Sequence, residues 1–266
     1  MPQKTESRVV EFGRQASPGS WFLSKESDIE EQRDLLPYSY YLRQAWKELK
    51  LSGVLCVDGR PVVYLCEAAS FTHEEKRERH RFVWNQGLVP LLVFLTPNQV
   101  EVHSTVKMPE RRPAEEGLFD GGASGLIPNL GNIAEALEVA RFVRSIETGQ
   151  FFQDHASFFP PDETVDRCLL KNLVHTVRRL RKTGWDLPRA HALLGRTLFA
   201  CFLHAREFIK PSFYPDGTTC LRDILSRPRV EEAKRLLYQE FFPRLRQEFN
   251  GTMFDTALGV GTHLKA

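Results

Sequence analysis

Between residues 53 and 104 the hydrophobic pattern changes from the period of a strand to that of a helix and back again. The pattern predicts strands at 53–58 and 62–66, a helix at 72–86, and strands at 88–95 and 100–103. The pair Asp58-Gly59 between two β-rich runs is a strong hairpin signal. Few apolar residues other than Phe82 and Val83 occur in the charged helix, so only one of its sides can face a sheet.

Helical patterns lie on both sides of this region. Upstream, Pro37 separates predicted helices at 28–36 and 38–49, and from residue 130 onward the pattern is helical. Proline and glycine are frequent in the segment between the sheet and the later helices, as in a linker. We therefore expect a lead-in at 1–26, a nuclease-like α/β domain at 27–108, a linker at 109–130 and a helical domain at 131–266, which together make an α+β protein.

The composition is typical of a soluble globular protein. Of the 266 residues 42% are hydrophobic and 26% are charged, and the formal net charge is only +2, so any basic surface must be local. The five cysteines are scattered without a Cys-x-x-Cys pair, which argues against a zinc knuckle or a disulfide framework. There is no apolar run of membrane-spanning length and no signal core at the start. We expect a cytoplasmic protein that does not interact with membranes.

The strand and helix order raises the hypothesis of a metal-dependent nuclease site. In PD-(D/E)xK nucleases two carboxylates hold a divalent ion and a lysine orients the attacking water. Asp58 and Glu67 occur at about the required spacing, but Ala69 stands where that lysine belongs, and Lys76 is the nearest replacement. The alternative is that Asp58 is a turn residue and Glu67 an exposed strand end. Magnesium is expected only if the nuclease hypothesis holds.

A cationic stripe is predicted on the helix at 162–182. At 100° per residue its apolar residues fall on one side and Arg167, Lys171, His175, Arg178 and Lys182 on the opposite side, where Arg179 and Arg181 widen the stripe. All of these residues except Arg181 are predicted to bind DNA. Such a stripe can follow a phosphate backbone, releasing counterions at each contact. The alternative is the ordinary solvated face of a packed helix. The eight histidines form no metal-ligand pattern with one another.

Several stretches together resemble a known family. They are Trp46–Leu49, Gly53–Leu55, Arg60–Tyr64, Arg81–Gly87, Pro90–Phe94, Ile146–Gly149, Val165–Leu173, Ala190–Phe199 and Phe249–Phe254. Their order and spacing are similar to the N-terminal region of large adenine-specific DNA methyltransferases of the type IIG restriction–modification kind. The resemblance covers residues 36–254.

The resemblance implies a nuclease-like segment, a helical connector and a downstream methyltransferase domain that uses S-adenosylmethionine. This sequence has no Asn-Pro-Pro-Tyr motif and no glycine-rich S-adenosylmethionine loop, and the family's Glu-x-Lys is not matched. We therefore expect a fragment or split subunit that binds no cofactor itself. Its expected partners are double-stranded DNA and a methyltransferase domain, in cis or as a separate chain, in phage defence. The alternatives are a stand-alone degenerate PD-(D/E)xK nuclease and a non-catalytic scaffold subunit of a defence complex.

Overall fold

The chain divides into two compact units between Leu169 and Leu170. The computed structural model describes residues 8–17, 19–97, 99–109, 125–128 and 136–249. The first unit contains a five-stranded mixed sheet with helices, and the described part of the second unit is helical. The predicted α+β class is confirmed. Most of the predicted linker, 109–130, lies outside the described residues.

The first unit consists of helices and strands in a mixed order. They are α1 (Arg8–Gln15), β1 (Ser20–Leu23), α2 (Asp28–Glu31), a 3-10 helix (Arg33–Tyr38), α3 (Ser39–Leu49), β2 (Gly53–Val57), β3 (Arg60–Glu67), α4 (His73–Gln86), β4 (Leu91–Leu95), β5 (Val100–Ser104), α5 (Ala136–Glu147), α6 (Gln150–Asp154) and a 3-10 turn (Ala156–Phe158). The strands and the helix predicted between residues 53 and 104 are all present.

The sheet has the strand order β1-β2-β3-β4-β5. β3 and β4 are parallel, and every other neighbouring pair is antiparallel. A parallel pair needs a crossover connection, which α4 provides. The β2–β3 hairpin turns at Asp58 and Gly59, whose φ values are +49° and +72°. This pair of positive φ values is the reason for the Asp-Gly dipeptide, since glycine adopts such a backbone without strain.

Both faces of the sheet are covered. Along β3, successive side chains point to opposite faces. Val63 and Leu65 pack in a core with α1 and α5, whereas Tyr64 and Cys66 pack in a second core with α3 and α4. The sheet is therefore the middle of three layers in the first unit.

The described part of the predicted lead-in, 1–26, differs from that expectation, because it contributes α1 and β1. β1 pairs with β2, whose buried edge would otherwise leave backbone groups without partners. Phe12 of α1 packs edge-on against Phe142 of α5, with ring centroids 6.1 Å apart. The hydroxyl of Ser17 donates to Glu147 at 2.6 Å.

The helices α5 and α6 also belong to the first unit rather than to the later helices. Val143 and Ile146 of α5 and Phe151 of α6 lie in the same core as the β3 residues Val63 and Leu65. That face of the sheet carries apolar side chains that α3 and α4 leave uncovered. The contacts therefore extend the first unit to Leu169, beyond the expected domain end at 108.

The second unit begins within a long helix. Its elements are α7 (Val165–Lys182), α8 (Leu187–Ala205), a 3-10 turn (Pro211–Phe213), α9 (Leu221–Leu225), α10 (Val230–Lys234), a π-helical segment (Arg235–Phe241) and α11 (Phe242–Phe249). Its core joins Ala200 and Leu203 of α8 to Ile224, Phe241 and Phe242. Within the described residues no helix is both long enough and apolar enough to cross a membrane.

Candidate nucleic-acid interface

The candidate interface lies on α7, a continuous helix of 18 residues in which the division between the units falls. The Thr164 carbonyl accepts from the Cys168 N–H at its start. At its end Gly184 has φ +91° and the Trp185 N–H donates to the Leu180 carbonyl. This is a Schellman ending, in which glycine takes the left-handed position at no steric cost. The helix therefore ends at Lys182, as the sequence pattern predicts.

All six predicted stripe residues are exposed to solvent. We call Arg167, Lys171, His175, Arg178, Arg179 and Lys182 the α7 stripe. Across its whole length α7 has six arginines and lysines and a single carboxylate, Asp166. The chain as a whole has a net charge of only +2, so positive charge is concentrated on this helix.

The length of the α7 stripe suits a nucleic-acid backbone. From Arg167 to Lys182 the helix rises by roughly 22 Å at 1.5 Å per residue. Phosphates of one DNA strand follow each other every ~3.4 Å along the axis, so roughly six of them fall within this length. Arg179 and Lys182 also lie in the last turn, where cations stabilise the negative end of the helix dipole. Part of the stripe therefore stabilises the helix itself.

The apolar side of α7 is only partly covered. On this side Leu173 and Val177 are half-buried, while Leu169 is exposed. Leu173 and Val177 line an open groove of about 470 Å³ together with residues of α8. Sequence periodicity identified an apolar side correctly but gave no sign that it stays open.

The structure does not bring Asp58 and Glu67 together. Asp58 lies in the hairpin turn, and Glu67 is the last residue of β3, at the other end of the hairpin. Seven steps along a strand at about 3.3 Å each separate Arg60 from Glu67 by roughly 23 Å. A metal ion binds oxygen ligands within about 2.6 Å, so both carboxylates cannot hold the same ion.

Lys76 takes part in a different arrangement, a pocket of about 200 Å³ between α4 and β5. Its lining residues are His73, Lys76, Arg77, His80, Glu101, His103 and Leu126. The four α4 residues occur at helical spacing i, i+3, i+4 and i+7 and so share one face. We call this the α4–β5 pocket.

A hydrogen-bonded network joins the two elements in the α4–β5 pocket. Lys76 Nζ lies 2.7 Å from Glu101 Oε1, and His103 Nε2 lies 3.2 Å from Glu101 Oε2. His80 Nε2 lies 3.1 Å from the carbonyl oxygen of Lys107, and because a carbonyl only accepts, this nitrogen carries the proton. The rings of His80 and His103 lie 6.1 Å apart.

The surroundings of this pocket lower the pKa of both His80 and Glu101. The shift keeps His80 neutral and keeps Glu101 charged. Burial, reinforced by His103, lowers the pKa of His80 to about 4, so His80 is neutral at pH 7. Burial alone would raise the pKa of Glu101, but hydrogen bonds from Lys76 and His103 and their charges outweigh it, and the pKa is lowered. Glu101 is therefore a carboxylate that its neighbours neutralise.

The pocket is not arranged as a metal site. Within the described ranges, no group of three or more histidine, cysteine, aspartate or glutamate side chains is placed to hold a metal ion. Sequence reasoning missed this pocket, because Lys76 and His80 are brought to Glu101 and His103 by the packing of α4 on the sheet. The only available sign was the helical spacing of His73, Lys76 and His80.

Comparison with known proteins identifies no relative. No protein-family description matches the sequence, and neither a curated protein nor a solved structure shows a significant match to it.

Proposed function

We propose that this chain binds double-stranded DNA through the α7 stripe, as the DNA-engaging and connecting part of an adenine-specific DNA methyltransferase of the restriction–modification kind. The observation that carries the proposal is the exposure of all six stripe residues along roughly 22 Å of one helix. Arginine and lysine side chains at this spacing can contact successive phosphates and release their counterions.

The contacts would fix the position of the duplex rather than read its sequence. Phosphate contacts carry no sequence information directly, and the arginines and lysines of the α7 stripe are side chains of the kind that contact phosphates. Recognition and methyl transfer to a flipped-out adenine would belong to a methyltransferase domain, in cis or on a separate chain, which also binds S-adenosylmethionine. The nuclease-like character of the sheet forms part of the same proposal, as the family resemblance implies.

The test is the salt dependence of DNA binding. A variant with Lys171→Gln, Arg178→Gln and Lys182→Gln loses three stripe cations, and fluorescence anisotropy with a labelled duplex measures its affinity between low and moderate salt. At about 0.9 counterions per phosphate contact, the slope of log K against log salt becomes shallower by about 2.7. Circular dichroism verifies that the variant keeps its helix content.

A matched control variant separates local from overall charge. Lys47→Gln, Arg60→Gln and Lys210→Gln remove three exposed cations outside α7 and give the same net charge. The control keeps the wild-type slope if the stripe is the interface. If the slope of log K against log salt becomes shallower by the same amount in both variants, only the net charge matters. If the slope is unchanged in the stripe variant, the α7 stripe is an ordinary solvated face.

The nuclease alternative predicts magnesium-dependent cleavage of plasmid DNA that is lost in Asp58→Ala. The separation of Asp58 from Glu67 along the hairpin argues against it, and we expect no cleavage. The scaffold alternative predicts association with a protein partner, and a specific feature of the second unit favours such an association in addition to DNA binding.

A further inference from the structure

The second unit has an open apolar groove between α7 and α8. Its lining residues are Leu170, Leu173, Val174, Val177, Arg178, Arg181, His191, Leu194, Gly195 and Leu198, and its volume is about 470 Å³. Among them Leu170 is 53% exposed, Val174 41% and Leu198 38%. Large apolar side chains exposed together in a concave surface are typical of an interaction site.

The groove lies away from the core of the second unit. On α8 the buried residues include Arg196, Ala200 and Leu203. Ala200 and Leu203 belong to the core that α8 forms with the C-terminal helices, and Arg196 lies on the same side of α8. At 100° per residue they lie about 140–160° from Leu198 and about 80–140° from Gly195 around the helix axis. The groove face of α8 is therefore a second apolar face, which the described part of the fold does not use for its own packing.

Gly195 is an independent indication of a ligand that approaches closely. It stands in the middle of α8, although glycine is among the least favourable residues in a helix interior. Its backbone does not have the positive φ that would require glycine, and a Cβ atom at this position would meet nothing within 4 Å. Neither backbone conformation nor internal packing explains this glycine, whereas a bare stretch of groove floor lets another backbone come near.

The charges at the groove indicate the chemistry of its occupant. Arg178 and Arg181 contribute to its lining, and none of the lining residues carries a carboxylate. Along α7 the apolar residues Leu170, Val174 and Val177 are spaced i, i+4 and i+7, so they share one face of this helix and can pack along the apolar side of a second helix. The complementary ligand has an apolar stripe of two to three turns and acidic side chains beside it.

We propose that the α7–α8 groove binds an amphipathic, acidic helix of a partner protein. Its apolar stripe packs on Leu170, Val174 and Leu198, its carboxylates contact Arg178 and Arg181, and its backbone passes over Gly195. This goes beyond the proposed DNA binding, because the ligand is a protein segment and the surface is a different face of α7. The faces are separated by about 110° around the helix axis.

The probe is a synthetic peptide of about 15 residues, long enough for about four helical turns, with leucines at i, i+3, i+4 and i+7 and glutamates elsewhere. A second peptide carries lysine in place of every glutamate. Fluorescence anisotropy measures the binding of each peptide to the full chain. We expect the acidic peptide to bind and the basic one to bind at least about tenfold more weakly, since like charges facing each other are unfavourable.

Two variants locate the binding site. Gly195→Leu fills the groove floor. It lowers the affinity for the acidic peptide by about tenfold or more, because the leucine side chain clashes with the peptide backbone. Gly195→Ala adds one methyl group where the partner's backbone passes and weakens binding of the acidic peptide by a smaller factor, about threefold, since the remaining contacts are retained. Circular dichroism of both variants verifies that α8 still forms, and their DNA affinity stays at the wild-type value, which separates this test from that of the α7 stripe.

Three outcomes overturn the proposal. Equal binding of both peptides shows that the charge of the groove does not select its ligand, and absence of binding by the acidic peptide shows that the groove takes no such helix. Self-association of the chain that Gly195→Leu abolishes shows that a second copy, not an acidic partner helix, covers this face.

Discussion

Lowering the pH from 7 to 5 should destabilise the first unit through His80. Its side chain is 4% exposed, and its pKa falls from 6.5 to about 4 on folding because burial disfavours the imidazolium. Between these values the unfolded chain binds a proton that the folded chain does not. The contribution of neutral, buried His80 to the free energy of unfolding is therefore fully present above pH 6.5 and is lost as the pH falls toward 4.

The magnitude follows from the two pKa values. At about 1.36 kcal/mol for each pKa step of one, the gap between 6.5 and about 4 is worth roughly 3 kcal/mol. At pH 5 most of this gap has been crossed, so the free energy of unfolding falls by about 2 kcal/mol between pH 7 and pH 5. Two groups face the His80 ring. His103 opposes its protonation, and the Glu101 carboxylate is already paired with Lys76 and His103, so neither group stabilises a protonated His80 enough to offset this loss.

Urea unfolding at the two pH values, followed by tryptophan fluorescence, measures this loss. Trp21, Trp46 and Trp84 belong to the first unit and Trp185 to the second, so most of the signal reports on the unit that contains His80. His80→Gln keeps a hydrogen-bond donor toward the Lys107 carbonyl but has no group that titrates in this range.

The difference between proteins isolates the histidine from the carboxylates that also titrate. The wild type should lose about 2 kcal/mol more than His80→Gln between pH 7 and pH 5. His175→Gln, which removes an exposed histidine of α7, keeps the wild-type loss. Equal losses in wild type and His80→Gln would refute the assignment of the pH dependence to this buried ring.

Three further substitutions test individual contacts. Thr72→Ala removes the hydroxyl that accepts from the Glu75 N–H in the capping box of α4, and should lower the urea-unfolding free energy by about 1 kcal/mol, which Thr72→Ser restores. Tyr64→Phe removes the hydroxyl that donates to the side-chain oxygen Oε1 of Gln86 at 2.8 Å, at a cost of about 1–3 kcal/mol by the same measurement. Gly195→Ala should stabilise α8 by about 1 kcal/mol, seen as a higher melting temperature by circular dichroism; a decrease would mean that the groove floor is already filled.

Local sequence signals predicted the part of the fold that local interactions determine. Asp58-Gly59 favours a turn by its backbone preference, and the apolar runs on either side form the two strands of a hairpin. The helix after Thr72 begins at a capping box formed by residues three apart. Such features depend on neighbours within a few residues, so the sequence alone contains them.

Contacts between distant residues account for the rest. Phe12 and Phe142 pack together across 130 positions of the sequence, and Ser17 bonds to Glu147 over the same separation. The predicted lead-in, 1–26, has few apolar residues, so its pattern alone does not predict that α1 packs on the sheet and that β1 joins it. The α4–β5 pocket escaped prediction for the same reason, because Lys76 and Glu101 meet only when α4 packs on β5.

The two proposed surfaces of α7 share one residue, and this makes them separable by experiment. Arg178 belongs to the α7 stripe and also lines the groove, whereas Lys171 belongs only to the stripe and Gly195 only to the groove. Both proposed ligands are anionic, so a duplex and an acidic helix would compete for the same guanidinium, and each would lower the affinity of the other by an equal factor. Lys171→Gln should then weaken only DNA, Gly195→Leu only the peptide, and Arg178→Gln both. If Arg178→Gln weakens one ligand and leaves the other unchanged, the two ligands do not share this guanidinium, and the competition between them is excluded.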